Sequence, residues 1–168
     1  MHRLVELAKQ TVETFVKTHR MISAPAPLPE PMRAKAGVFV CIKNQGELRG
    51  CVGTLSPSSE NVAEETIRNA IAAASKDSRF SPVSVGELED LSYTVDVLSP
   101  AEPIKDLSLL DPRRYGVTVS RGGRRGLLLP DLEGVDTVEE QLRIALMKAG
   151  ISSDEEYEVA RFTVERYV

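Results

Sequence analysis

Hydrophobic and polar positions alternate along this chain with two different periods, and the changes of period mark out its elements. Leu4, Val5, Ala8, Val12, Phe15 and Val16 recur at helical spacing with Lys9, Glu13 and Lys17 on the opposite side, which predicts an amphipathic helix over residues 2–20 packed on the body of the protein. The run SAPAPLPEP at 23–31 excludes both helix and central strand and reads as a stiff strap, with a PxxP docking ligand as the alternative. From Gly37 the period becomes two. Val38, Val40 and Ile42 share one face and Phe39, Cys41 and Lys43 the other. Asn44-Gln45-Gly46 fits a three-residue hairpin loop that sets Lys43 opposite Glu47, Cys41 opposite Arg49 and Phe39 opposite Cys51. In that register the two cysteines are diagonal neighbours, roughly 7–8 Å apart at the backbone and beyond ordinary disulfide reach, so free thiols are expected.

After the hairpin, Ser56-Pro57-Ser58-Ser59 offers capping residues, and Glu60, Glu64 and Glu65 favour a helix N-terminus. The helix predicted there runs to about Ser75, with Ile67, Ala70, Ile71 and Ala74 inward. A polar loop anchored by Phe80 follows, and Tyr93, Val95 and Val97 then alternate as a strand ended by Ser99-Pro100. Residues 101–114 are irregular. GVTVSRGGRRGLLLP forms a second predicted hairpin turning at Gly122-Gly123. Thr137-Val138-Glu139-Glu140 has the form of a capping box opening a helix to Ala149, and residues 157–166 alternate as a last strand.

The order hairpin, helix, strand therefore occurs twice. Gly37-Val38-Phe39-Val40-Cys41 parallels Gly116-Val117-Thr118-Val119-Ser120, and the Arg49-Gly50 pair parallels Arg125-Gly126. The fold class expected is α+β: two lobes built from a duplicated hairpin-helix-strand unit, mainly antiparallel sheets with helices packed on them, one domain over 1–168 with lobes near 32–105 and 106–168. What both copies share is scaffold. The cysteines are not shared, since Ser120 and Leu127 stand in their places, and this singles out Cys51.

Composition narrows the classes. The 168 residues suffice for one ordinary domain or two small lobes. No long apolar run or signal-like start is present, and two cysteines without a leader point to a reducing, cytoplasmic location. A net charge of -4 gives no global attraction to nucleic acid. Arg113, Arg114, Arg121, Arg124 and Arg125 are dense locally but lack interleaved aromatics, so nucleic acid is not expected as a partner. Only two histidines exist, His2 and His19, both beside the first helix, so no metal set and no cysteine–histidine pair is expected. No cofactor fingerprint appears.

Chemistry concentrates at Leu48-Arg49-Gly50-Cys51-Val52-Gly53. A guanidinium two residues from Cys51 favours its thiolate, Gly50 and Gly53 leave room for a ligand or another backbone segment, and Asp77 or Glu47 is available as a base. The hexapeptide resembles the LRGC(I/V)G motif of the AMMECR domain family. The resemblance continues through the DPRF-like loop, with Asp77, Arg79 and Phe80 matching and Ser78 in place of the usual proline. It extends through the ELxxLxxxVxVLSPxExI pattern from Glu87 to Ile104 and YGVxVxxGxRxGLLLP from Tyr115 to Pro130. The short link from Pro130 to Thr137 is similar to that of compact microbial members, called protein A of the AmmeMemoRadiSam system. The resemblance implies an intracellular protein of two-lobed α+β fold, without an established activity, whose partners are a Memo-like protein and a radical S-adenosylmethionine enzyme.

Three readings follow. In an enzyme, Cys51, Arg49 and Asp77 are catalytic, and Gly50, Gly53, Arg79 and Arg125 bind an anionic substrate. In a binding module the same surface grips a partner or an anion. In a scaffold subunit Cys51 is a small packed residue, and docking uses an apolar patch.

Overall fold

A computed structural model describes all of residues 1–168 as three α-helices and eight strands in two four-stranded sheets. The chain forms two compact units, residues 1–98 with 165–168, and residues 99–164.

In the first unit, α1 (Arg3–Thr18) precedes the hairpin β1 (Val38–Asn44) and β2 (Glu47–Gly53). Helix α2 (Val62–Ser75), strand β3 (Leu91–Leu98) and the C-terminal β8 (Val164–Tyr167) complete it, with sheet order β2-β1-β3-β8. Val38, Val40, Ile42 and Val95 are fully buried and pack with Leu4, Val5, Val12, Ala70, Ala73 and Ala74 of the helices. The period-two and period-3.6 patterns thus meet in one core, and each fully buried Val or Ile contributes about 1.5–3 kcal/mol. Phe39 and Cys41 lie on the opposite face and are only partly buried.

Helix α1 is capped at His2, whose Nδ1 accepts from the Leu4 amide at 3.1 Å, and ends at His19 in the left-handed region. The cap of α2 is Asn61 rather than the serines before it. Those serines bind Glu65 instead: the amides of Ser58 and Ser59 and the Ser58 hydroxyl donate to its buried carboxylate at 2.6–2.9 Å.

The second unit holds β4 (Glu102–Ile104), the hairpin β5 (Gly116–Arg121) and β6 (Arg124–Leu128), α3 (Val138–Ala149) and β7 (Glu158–Phe162), in sheet order β4-β7-β5-β6. Its core gathers Val117, Val119, Leu128, Leu142, Ala145, Leu146 and Val159. Thr137 caps α3 by accepting from the Glu140 amide. The Glu140 carboxylate pairs with Arg143.

Both units repeat hairpin, helix and strand with the same neighbours, β2-β1-β3 and β6-β5-β7. The repetition extends to one contact. A Cβ on Gly50 would lie 2.1 Å from the Ala73 carbonyl oxygen of α2, and one on Gly126 would lie 2.0 Å from that of Ala145 in α3. Each helix therefore lies directly on its hairpin through a glycine. Matched on that glycine, the counterparts of Cys41 and Cys51 are Thr118 and Leu127, which pair directly.

Three expectations are corrected. The alternating segment at 157–166 is two strands in different sheets, interrupted at Thr163, whose amide and carbonyl bond to Ser99. The hairpin loop holds two residues, not three. Gln45 and Gly46 both have positive φ, at 50° and 88°, and Asn44 pairs with Glu47. A register shift between Ile42 and Lys43 then leaves Arg49 bulged out, so that Ile42 faces Gly50 and Cys41 faces Cys51. The cysteines are accordingly not free: they form a cross-strand disulfide with a Cα separation of 4.1 Å. No helix is long and apolar enough to cross a membrane.

Candidate functional site

Strand β2 is the outer strand of the first sheet, and the loop after α2 closes over its edge. In an antiparallel pair, residues that do not exchange hydrogen bonds with their partner turn their amide and carbonyl outward. Cys51 does this. Its amide donates to Asp77 Oδ2 at 3.0 Å, and its carbonyl accepts from Arg79 Nη2 at 3.4 Å. Asp77 and Arg79 are tied to each other by Nε to Oδ1 at 3.0 Å and Nη2 to Oδ2 at 2.7 Å, while the Arg79 amide also donates to Oδ1. Together they stand where a neighbouring strand would be and satisfy the edge at Cys51.

The bulge at Arg49 turns that side chain toward the same loop. Its Nε donates to Glu87 Oε1 at 2.7 Å and its Nη2 to Oε2 at 3.1 Å, a two-pronged ion pair. The guanidinium also donates to the carbonyls of Ser81 at 2.8 Å and Pro82 at 3.3 Å. The Phe80 ring lies 6.0 Å from the Arg49 guanidinium carbon and 5.4 Å from that of Arg79, a cation–π contact on each. Asn44, at the hairpin turn, donates to Glu87 as well.

These bonds set the charge states. The Arg79 side chain holds the Asp77 carboxyl well below the usual carboxylate range; burial opposes this, and the Cys51 and Arg79 amides reinforce it. Glu87 is lowered to about 2, first by Arg49 and then by the Ser84 amide. Both are committed anions at neutral pH, each with its cation.

The structure thus brings Arg49, Gly50, Cys51, Gly53, Asp77 and Arg79 together on one edge. Arg125 belongs to the second unit, exposed on β6 opposite Ser120. The space beside the two glycines is occupied by protein: by the Ala73 carbonyl at Gly50, and by the Phe39 ring, 2.2 Å from a Cβ placed on Gly53. Of the two uses open to those glycines, close approach of protein is the one found. Three of the arginines clustered at and before the second hairpin are matched by acids. Arg124 and Arg121 share Glu155, and Arg113 reaches Asp136 at 3.0 Å. The residue that the sequence did not assign to this edge is Glu87, the anchor of Arg49. Its local signal, the Ser84-x-x-Glu87 capping box, marks a helix start and not a partner for Arg49, because that pairing spans 38 positions.

Two antiparallel sheets, each built from the same hairpin, helix and strand, and one edge locked by paired arginines and carboxylates define a duplicated α+β protein with a single specialised hairpin. The chain belongs to the AMMECR1 family, whose model matches residues 5–167. A Thermotoga maritima protein is 53% identical over 99% of this chain and 97% of its own length. A Clostridium acetobutylicum protein is 48% identical over 97% of this chain, which spans only 35% of that longer relative. The crystal structure of the uncharacterized protein PH0010 from Pyrococcus horikoshii superposes with a TM-score of 0.89 at 36% identity, covering 97% of this chain and 88% of that one.

Proposed function

We propose that the domain is a protein-recognition module and that its docking surface is the β2 edge around Arg49–Cys51 together with the loop from Asp77 to Glu87. One observation carries this reading. Every group a catalyst would use there is bonded within the chain: Arg49 to Glu87 and two carbonyls, Asp77 to Arg79 and the Cys51 amide, and Cys51 to Cys41. What the edge presents outward is shape, charge and two large apolar side chains, Leu48 and Val85, which are 43% and 57% exposed. The extra length of the Clostridium relative, in which a similar domain is joined to further sequence, suits a module that works beside other domains.

The partners are those of a compact microbial member of the AmmeMemoRadiSam type, a Memo-like protein and a radical S-adenosylmethionine enzyme. The test is biolayer interferometry of the immobilised chain against each protein from the same source. Saturable binding to at least one of them is expected, weakened tenfold or more by Leu48→Glu or Val85→Glu, as for a truncated contact worth about 1.4 kcal/mol or more. Absence of binding to both, or full affinity in both variants, refutes the reading.

A further inference from the structure

The Cys41–Cys51 bond lies outside the packed interior. Neither residue belongs to the hydrophobic core of its unit, both are partly exposed, and the pair projects from the sheet face opposite the one on which α1 and α2 pack. It joins an edge strand to its only strand neighbour, and the bulge at Arg49 is what sets the two cysteines opposite each other. Lys43, two residues from Cys41 on the same face, is exposed. Cys51 is also the residue whose amide and carbonyl hold Asp77 and Arg79, so one residue carries both the covalent and the ionic fastening of the edge.

We propose that Cys41–Cys51 is a thiol–disulfide exchange site, with a dithiol or a glutathione-class thiol as its reductant, and that its state sets how tightly the Arg49–Cys51 edge is held. A reductant thiolate attacks one sulfur, the Cys41–Cys51 bond breaks, and the departing cysteine thiolate takes a proton from solvent. The second thiol of a dithiol, or a second glutathione molecule, then attacks the mixed disulfide; the reductant leaves as a disulfide and the other cysteine is released. Two electrons and two protons pass to the pair. Oxidised glutathione reverses the exchange by the same steps. The exchange chemistry stands alone; only its effect on partner docking rests on the reading of this edge as a recognition surface.

The experiment uses the full chain in native buffer. After dithiothreitol treatment and a maleimide quench, intact mass should show two labelled thiols per chain without denaturant. Oxidised glutathione, added after the reductant is removed, should abolish the labelling, and Cys51→Ser should take up one glutathione at Cys41. Labelling that appears only after unfolding in urea overturns the proposal, and that arm needs no variant to fold. Amide exchange across residues 48–53 should be at least tenfold faster in the reduced chain, whereas equal rates overturn the coupling to the edge. A chain that exchanges disulfides but binds no partner in either state refutes the recognition reading and leaves this one standing. A chain that binds but resists reduction does the reverse.

Discussion

Replacing Gly50 by alanine tests most directly how the LRGCVG segment is built. The added Cβ would lie 2.1 Å from the Ala73 carbonyl oxygen and 3.1 Å from its carbon. Reaching 3.4 Å, where ordinary contact begins, requires strand and helix to part by about 1.3 Å. The obstacle is helix backbone, which has no rotamer to change. The contact is flanked by Ala70, Ala73 and Ala74, at most 2% exposed, so a gap of that size also forfeits much of their dispersion energy. Overpacking a well-filled site costs about 1–3 kcal/mol, and a clash with fixed backbone belongs at or above the top of that range. We expect Gly50→Ala to lose about 3 kcal/mol or more in urea denaturation, with Tm lower by roughly 6–12 °C for a chain of this size. Hydrogen exchange should rise in peptides of β2 and α2 and not in those of β6 and α3. Gly126→Ala, with its Cβ 2.0 Å from the Ala145 oxygen, should show the mirror pattern. Gly86→Ala, with nothing within 4 Å, should change stability by about 1 kcal/mol or less. A Gly50→Ala protein as stable as the parent, or one in which Gly86→Ala is equally damaging, refutes the packing argument and returns Gly50 to the role of clearing space for a ligand.

The Arg49–Glu87 pair predicts a pH signature. Because the folded-state pKa of Glu87 is depressed to about 2, its contribution is present above the unfolded value near 4.5 and is lost as pH falls toward 2. Glu87→Gln should therefore cost about 1.5–3 kcal/mol at neutral pH, in a urea titration whose gap from the parent narrows below about pH 4.5; a gap independent of pH contradicts the assignment. Asp77→Asn should speed amide exchange at Cys51 and lower stability by about 1–3 kcal/mol, and an unchanged rate at that amide would show that the carboxylate does not hold the edge. Asp96, 3% exposed at its side chain and paired with Arg166 of β8 at 2.7 Å, should cost about 3–5 kcal/mol as Asp96→Ala, measured by thermal melting; a loss under 1 kcal/mol would dissociate β8 from that pair. Reduction of the disulfide, which closes a loop of 10 residues, should lower stability by roughly 2–3 kcal/mol in urea denaturation, and equal stability of both forms would contradict a loop-closure contribution.

Whatever depends on local periodicity can be read from the order of residues alone. Val38, Val40 and Ile42 alternate because one face of β1 is buried, α1 shows its apolar stripe at the spacing of its turns, and Gly150 ends α3 in the left-handed region whatever surrounds it. The repeated hairpin, helix and strand followed from such patterns. Register was set only once the strands paired. A two-residue turn moved the pairing by one, the bulge at Arg49 moved it by one more, and those two steps carried Cys51 from a position diagonal to Cys41 to one directly opposite. A strand's own pattern repeats every two residues and is indifferent to a shift that a partner strand and a turn must fix. The choice of Glu87 for Arg49, of the Ala73 carbonyl for Gly50 and of Asp77 for the Cys51 amide was likewise made by which surfaces fold against each other. Contacts across tens of residues leave no spacing in the sequence from which to read them, because the energy that selects them exists only once the core has closed.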